Sequence, residues 1–182
     1  SLINEDITAL DIDIMTAQFI KDHGGVSACF NYQGFPSNTC ISINEEVCHG
    51  IPSVRKFSAG DLIKIDVAVI LDKYFGDTCG TFFIGELLTE NKKLIAVTKK
   101  CLQIGINEVR PDVPLSNIGN AISKYAKSQD CSVVHQFAGH GVGIHLHEPP
   151  QVYHHKQKDK SVKMKAGWVF TIEPMINLGK PE

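Results

Sequence analysis

Two acids in this sequence interrupt apolar runs. Asp66 stands inside Leu62-Ile63-Lys64-Ile65-Asp66-Val67-Ala68-Val69, and Glu173 inside Trp168-Val169-Phe170-Thr171-Ile172-Glu173-Pro174. Taking a carboxylate out of water costs several kcal/mol unless a counter-charge or a metal compensates for it. A third acid, Asp77, follows Gly76 just downstream of the first run. If Asp72-Lys73 is a two-residue turn, Asp66 faces Cys79 across a hairpin, and Asp77 projects from the same face two positions away. Diagonal neighbours of this kind lie about 7–8 Å apart, close enough for their carboxylates to meet on ions roughly 3.5–4 Å from one another. Six of the eight histidines fall between His135 and His155, and one of them, His140, is set in Gly139-His140-Gly141-Val142-Gly143. Glycines there permit close backbone approach, which predicts that a ligand can reach His140. Three carboxylates and one imidazole suit water-activating Mn, Fe, Co or Zn better than a structural zinc. The plainer readings are a Lys or Arg partner for Asp66, a Gly-Asp turn for Asp77, and loop hydrogen bonding for His135, His145, His154 and His155, with His154-His155-Lys156 a solvated run.

The elements that must position these groups read as helix, strands, helix, helix, strands. Ile7, Leu10, Ile14 and Phe19 recur at helical spacing from Glu5 to Asp22, and Gly24-Gly25 follows as a stop. Leu62–Leu71 and Tyr74–Ile84 read as a β-hairpin, Glu90–Arg110 and Ser116–Gln129 as helices, and Ser132–Phe137 and Trp168–Ile176 as strands. An internal repeat links the two ends of this order. His49, Pro52, Ala59-Gly60 and Asp66 are echoed by His147, Pro150, Ala166-Gly167 and Glu173, with each acid six residues after its glycine. The expectation is one α+β catalytic domain over residues 1–182, built of two similar halves (about 1–90 and 91–182) with the site between them.

Composition narrows the function. The 182 residues carry 18 basic and 20 acidic side chains, for a formal charge of −2, so no field directs the chain to nucleic acid or an anionic membrane. The apolar runs are strand-length, and the six cysteines form no CxxC pair. A soluble, cytoplasmic protein with reduced thiols is expected.

Taken together, Asn44-Glu45-Glu46-Val47-Cys48-His49-Gly50-Ile51-Pro52, Ile65-Asp66-Val67, Gly76-Asp77-Thr78, Gly139-His140-Gly141-Val142-Gly143, His147-Glu148-Pro149-Pro150 and Thr171-Ile172-Glu173-Pro174-Met175 resemble the successive motifs of the type I methionine aminopeptidases. The resemblance runs through nearly the whole chain. It implies the pita-bread fold and two divalent metal ions held by Asp66, Asp77, His140 and Glu173. It further implies catalytic roles for His49 at the scissile amide, His147 at the carbonyl oxygen and Glu173 as proton shuttle. Cys29, Tyr32, Phe35, Cys40 and Leu146 would form the methionine pocket, Leu146 standing where an aromatic residue often does. The implied substrate is a peptide or nascent chain beginning with Met; a monomeric state and a ribosome contact are further expectations. Other readings of the same motifs are a prolidase or aminopeptidase P, or a pita-bread module that binds peptides without cutting them. The family pattern has a fifth ligand, a glutamate on a later strand, whereas this sequence ends nine residues after Glu173. The expectation is therefore a chain cut short at both ends, with weak metal binding and little activity as it stands.

Overall fold

The structure is a computed structural model, and it describes residues 3–181. It divides into two compact units, residues 1–91 with 143–146 and residues 92–142 with 147–182.

The first unit opens with helix α1 (Ala9–Asp22). Thr8 and Asp11 form a reciprocal capping box, the Asp11 N–H donating to Thr8 Oγ1 at 3.1 Å and the Thr8 N–H to Asp11 Oδ2 at 2.9 Å. That cap fixes the start at Ala9 and not at Glu5. The buried stripe is also displaced from the expected one: Ala9, Ile12, Asp13 and Ile20 face inward, whereas Ile14 and Phe19 are exposed. The displacement follows from Asp13, a buried acid that sequence patterning assigns to solvent. Its carboxylate accepts hydrogen bonds from Asn38 Nδ2 and from the backbone N–H and hydroxyl of Thr39, the last two at 2.7 Å, and so holds the chain as it enters the next strand.

Four strands make an antiparallel sheet: β1 (Val26–Ser27), β2 (Cys40–Ile43), β3 (Leu62–Leu71) and β4 (Tyr74–Phe83). β4 pairs along the whole of β3, while β2 and β1 share the other edge of β3, β2 beside its N-terminal half and β1 beside its C-terminal end. Asp72 and Lys73 both take positive φ, 50° and 73°. This is the backbone demanded by a type I′ two-residue hairpin, and it sets the register that the sequence predicts. Ile63 packs with Ala9, Ile12, Ile41, Phe57 and Ile84 in one core cluster; Ala68, on the other face of β3, packs with Ala28, Cys29 and Leu146 in a second.

Asp61 ties the loops at one end of this sheet. It is 5% exposed and accepts from Asn44 Nδ2, Arg55 and the Ser58 N–H. Burial pushes its carboxyl up, but the hydrogen bonds from Arg55, Asn44 and Ser58 outweigh that, and it rests below the ordinary carboxylate range. A depressed folded-state value contributes stability above the unfolded value of about 4 and loses it as pH falls through the folded one. Urea midpoints measured from pH 7 downward should therefore fall below about pH 4, and Asp61→Asn should remove that part of the fall. The same variant should cost about 1–3 kcal/mol at neutral pH, since the Arg55 and Ser58 donors lose their charged acceptor.

The second unit contains most of α2 (Thr89–Asn107), all of α3 (Ser116–Ser128) and four short strands: β5 (Ser132–Val133), β6 (Gly139–Gly141), β7 (Glu148–Val152) and β8 (Ile176–Asn177). β5 pairs with β8 and β6 with β7. One core gathers Val97 and Cys101 from α2, Ile118, Ile122 and Ala126 from α3, and Val133, Val152, Met164 and Ile176. The expected strand Trp168–Ile176 is not a regular strand. Its backbone alternates between partners, with Val142 N–H donating to Val169 O, Thr171 N–H to His140 O and Val134 N–H to Met175 O, and Pro174 has no N–H to give. Only Ile176–Asn177 remains in a ladder. Among the described residues, no helix is long and apolar enough to cross a membrane.

Candidate functional site

In the first unit, the register pairs Asp66 with Cys79 and Ala68 with Asp77. Directly opposed residues share a face, and so do residues two apart on one strand. Asp66 and Asp77 therefore project from one side of the β3–β4 hairpin, in adjacent rows, both half-buried. A plain turn reading for Asp77 does not survive: it lies within β4, four residues past the turn. His49 is exposed, with φ 56°, in a loop pinned to β2, where the Gly50 N–H donates to Ser42 Oγ and the Ile41 N–H to Gly50 O.

The five residues assigned to a substrate pocket all lie in this unit. Cys29 and Leu146 are buried in one cluster, with Tyr32 and Phe35 packed against it. Cys40 is equally buried, and its thiol shares a hydrogen bond with that of Cys29. That contact pulls the Cys29 thiol below its ordinary value and, with burial, pushes the Cys40 thiol above it. What results is a packed apolar cluster with two buried thiols beside it.

In the second unit, β6 places His140 beside Glu173, its Nε2 3.6 Å from Glu173 Oε1. The His140 Nδ1 lies 2.9 Å from the Gly141 carbonyl oxygen, to which it can only donate, and its Nε2 faces the carboxylate. Thr171 joins the two residues: its hydroxyl receives the His140 N–H at 2.9 Å and donates to Glu173 Oε1 at 2.5 Å. The His147 ring stands edge-on to that of His140, with centroids 4.2 Å apart. The flanking glycines serve a purpose different from the expected one. A Cβ on Gly139 would stand 2.5 Å from Thr171 O, and one on Gly141 would strike Pro149 O. They let β6 fit between two other backbone segments, and His140 itself is 8% exposed.

His154, expected in a solvated run, is 2% exposed. Burial, reinforced by neighbouring His155, pushes its imidazole down to about 4, so the ring is neutral and its Nε2 accepts the Glu173 backbone N–H at 3.0 Å. The alternation of β7 hid this residue: Val152 and His154 point inward, while Tyr153 is exposed. His154→Phe would keep the bulk and remove the acceptor. The stranded Glu173 N–H should cost about 1–3 kcal/mol, readable as a lower urea midpoint.

Among the described residues, no three His, Cys, Asp or Glu side chains already form a metal-binding cluster. The donors nonetheless fit an M²⁺ centre in kind. Two aspartates share a sheet face in one unit; in the other, an imidazole oriented by a backbone carbonyl turns its Nε2 toward a carboxylate.

The model of "Metallopeptidase family M24" matches residues 1–181. The methionine aminopeptidase of Haemophilus influenzae is 46% identical over 183 residues, covering 99% of this chain and 68% of that protein. Methionine aminopeptidase A of a Synechocystis species is 42% identical over 179 residues, covering 98% and 71%. The crystal structure of the methionine aminopeptidase from Rickettsia prowazekii superposes with a TM-score of 0.96 at 38% identity, covering 99% of this chain and 73% of that one, which establishes the pita-bread fold. The chain belongs to metallopeptidase family M24, in its methionine aminopeptidase branch.

Proposed function

We propose that this chain removes the N-terminal methionine from peptides and newly made polypeptides, with Asp66, Asp77, His140 and Glu173 holding two divalent ions among Co, Mn, Fe and Zn. The observation that carries the proposal is the His140–Glu173 pair, in which Gly141 O orients the imidazole and Thr171 anchors the carboxylate. The chemistry such ions supply is acidification of a water and polarisation of a carbonyl.

The chain's own groups do the rest. Glu173 takes a proton from the attacking water and passes it to the departing amine. The Thr171 hydroxyl and the His154 acceptor fix its two ends, side chain and backbone, so the carboxylate needs no reorganisation at the moment of transfer. His147 donates to the carbonyl oxygen as negative charge develops there, and His49 holds the scissile amide. Asp66 attracts the free α-ammonium, which confines cleavage to the first residue. Cys29, Tyr32, Phe35, Cys40 and Leu146 receive the methionine side chain. Release of free amino acid from Met-Gly, Leu-Gly and Xaa-Pro peptides by the metal-loaded chain tests the reading. Release from Met-Gly in clear preference to the others is expected, whereas a preference for the Xaa-Pro peptides would overturn it.

A further inference from the structure

Asp66 stands in a cross-strand row with a thiol on each side, Cys40 on β2 and Cys79 on β4. Opposed residues in such a row have Cβ atoms about 4.5–5.5 Å apart on one face. Asp77 joins that face from the adjacent row. The two thiols differ in what they can offer. Cys40 is buried, whereas Cys79 is exposed. Lys64 stands one row further along the same face, half-buried and donating to Asn44 O at 2.7 Å.

We propose that Cys79 is a sulfur ligand to the ion that Asp66 and Asp77 hold, and that it biases this chain toward Zn²⁺ or Co²⁺ over Mn²⁺. The inference rests on the metal reading of those two aspartates. Carboxylate and imidazole donors alone suit Mn²⁺ and its harder neighbours, and a thiolate shifts preference toward softer ions. An exposed cysteine changes rotamer at little cost, so χ1 can bring the sulfur to the aspartate pair. As the sulfur–metal bond forms, the thiol proton is released to solvent.

Cobalt reports sulfur ligation directly, because a thiolate on Co²⁺ produces near-ultraviolet charge-transfer absorption. The experiment loads the full chain with Co²⁺, measures bound cobalt by equilibrium dialysis and records the spectrum for the native sequence, Cys79→Ser and Cys40→Ser. The expected result is a charge-transfer band in the native chain and in Cys40→Ser that is lost in Cys79→Ser while cobalt remains bound. Bound cobalt with no band in the native chain, or a band that survives Cys79→Ser, overturns the sulfur ligand and leaves the aspartates standing. Cobalt binding unaffected by Asp66→Asn and Asp77→Asn overturns the metal reading itself. Should Cys79→Ser fail to fold, the native chain still decides: Co²⁺ should slow iodoacetamide labelling of Cys79, located by peptide mass, and labelling at an unchanged rate refutes the proposal.

Discussion

His147→Ala is expected to lower turnover of a Met-initiated peptide by about 10²–10³ while leaving bound metal and KM nearly unchanged. Its proposed role is to donate to a carbonyl oxygen whose charge appears only in the transition state, so the loss should fall on kcat, at about 2.7–4 kcal/mol. The ring stands edge-on to His140, near enough that a ligand role is the natural rival. The two roles separate cleanly by measurement. Metal content determined alongside turnover in the purified variant should stay at the wild-type level, and its disappearance would make His147 a ligand.

The other large effect is expected at Asp77. Asp77→Asn preserves shape and removes the charge from the hairpin face shared with Asp66. Metal affinity should fall by more than the roughly 10–100-fold that follows mutation of a group one step removed from a metal, and activity should fall with it. The fold should persist, because the backbone ladder of β3 and β4 does not depend on that carboxylate. Equilibrium dialysis against Mn²⁺ or Co²⁺ with Asp72→Asn as control measures this: the turn variant should bind as the native chain does, and equal binding by Asp77→Asn would remove Asp77 from the ligand set.

How much of this was legible in the sequence depended on how local the signal was. The β3–β4 hairpin was readable because strand periodicity is two and the turn is two residues long, so register follows from counting alone. α1 was readable as a helix but not in its orientation. Its buried face includes Asp13, whose reason for burial lies at Asn38 and Thr39, far along the chain. Trp168–Ile176 had strand composition, yet its amides and carbonyls are divided among several segments, a distribution no local pattern encodes. His154 was masked by its polar neighbours, while the alternation that turns it inward begins in a strand, β7, which contains two prolines and reads as loop. Among the candidate residues, the motifs supplied donor types and proposed roles; the orientation of His140 and the anchoring of Glu173 emerge only from Gly141, Thr171 and His154 in three dimensions.

The two-residue turn at Asp72-Lys73 has a consequence for how this gene can change over time. Surface turns ordinarily tolerate insertions and deletions better than any other part of a fold. This one is a spacer between two acids, and side-chain direction in a strand alternates with each residue. Exchanging both turn side chains, even for Asn-Gly, would preserve the spacing and suit the positive φ values there. An added residue taken up in the ladder, and not absorbed as a three-residue loop, would shift every β4 residue by one position against β3 and carry Asp77 to the opposite face from Asp66. Substitution at these positions is therefore tolerated where the new residues accept positive φ, whereas an insertion is tolerated only where the turn itself absorbs it.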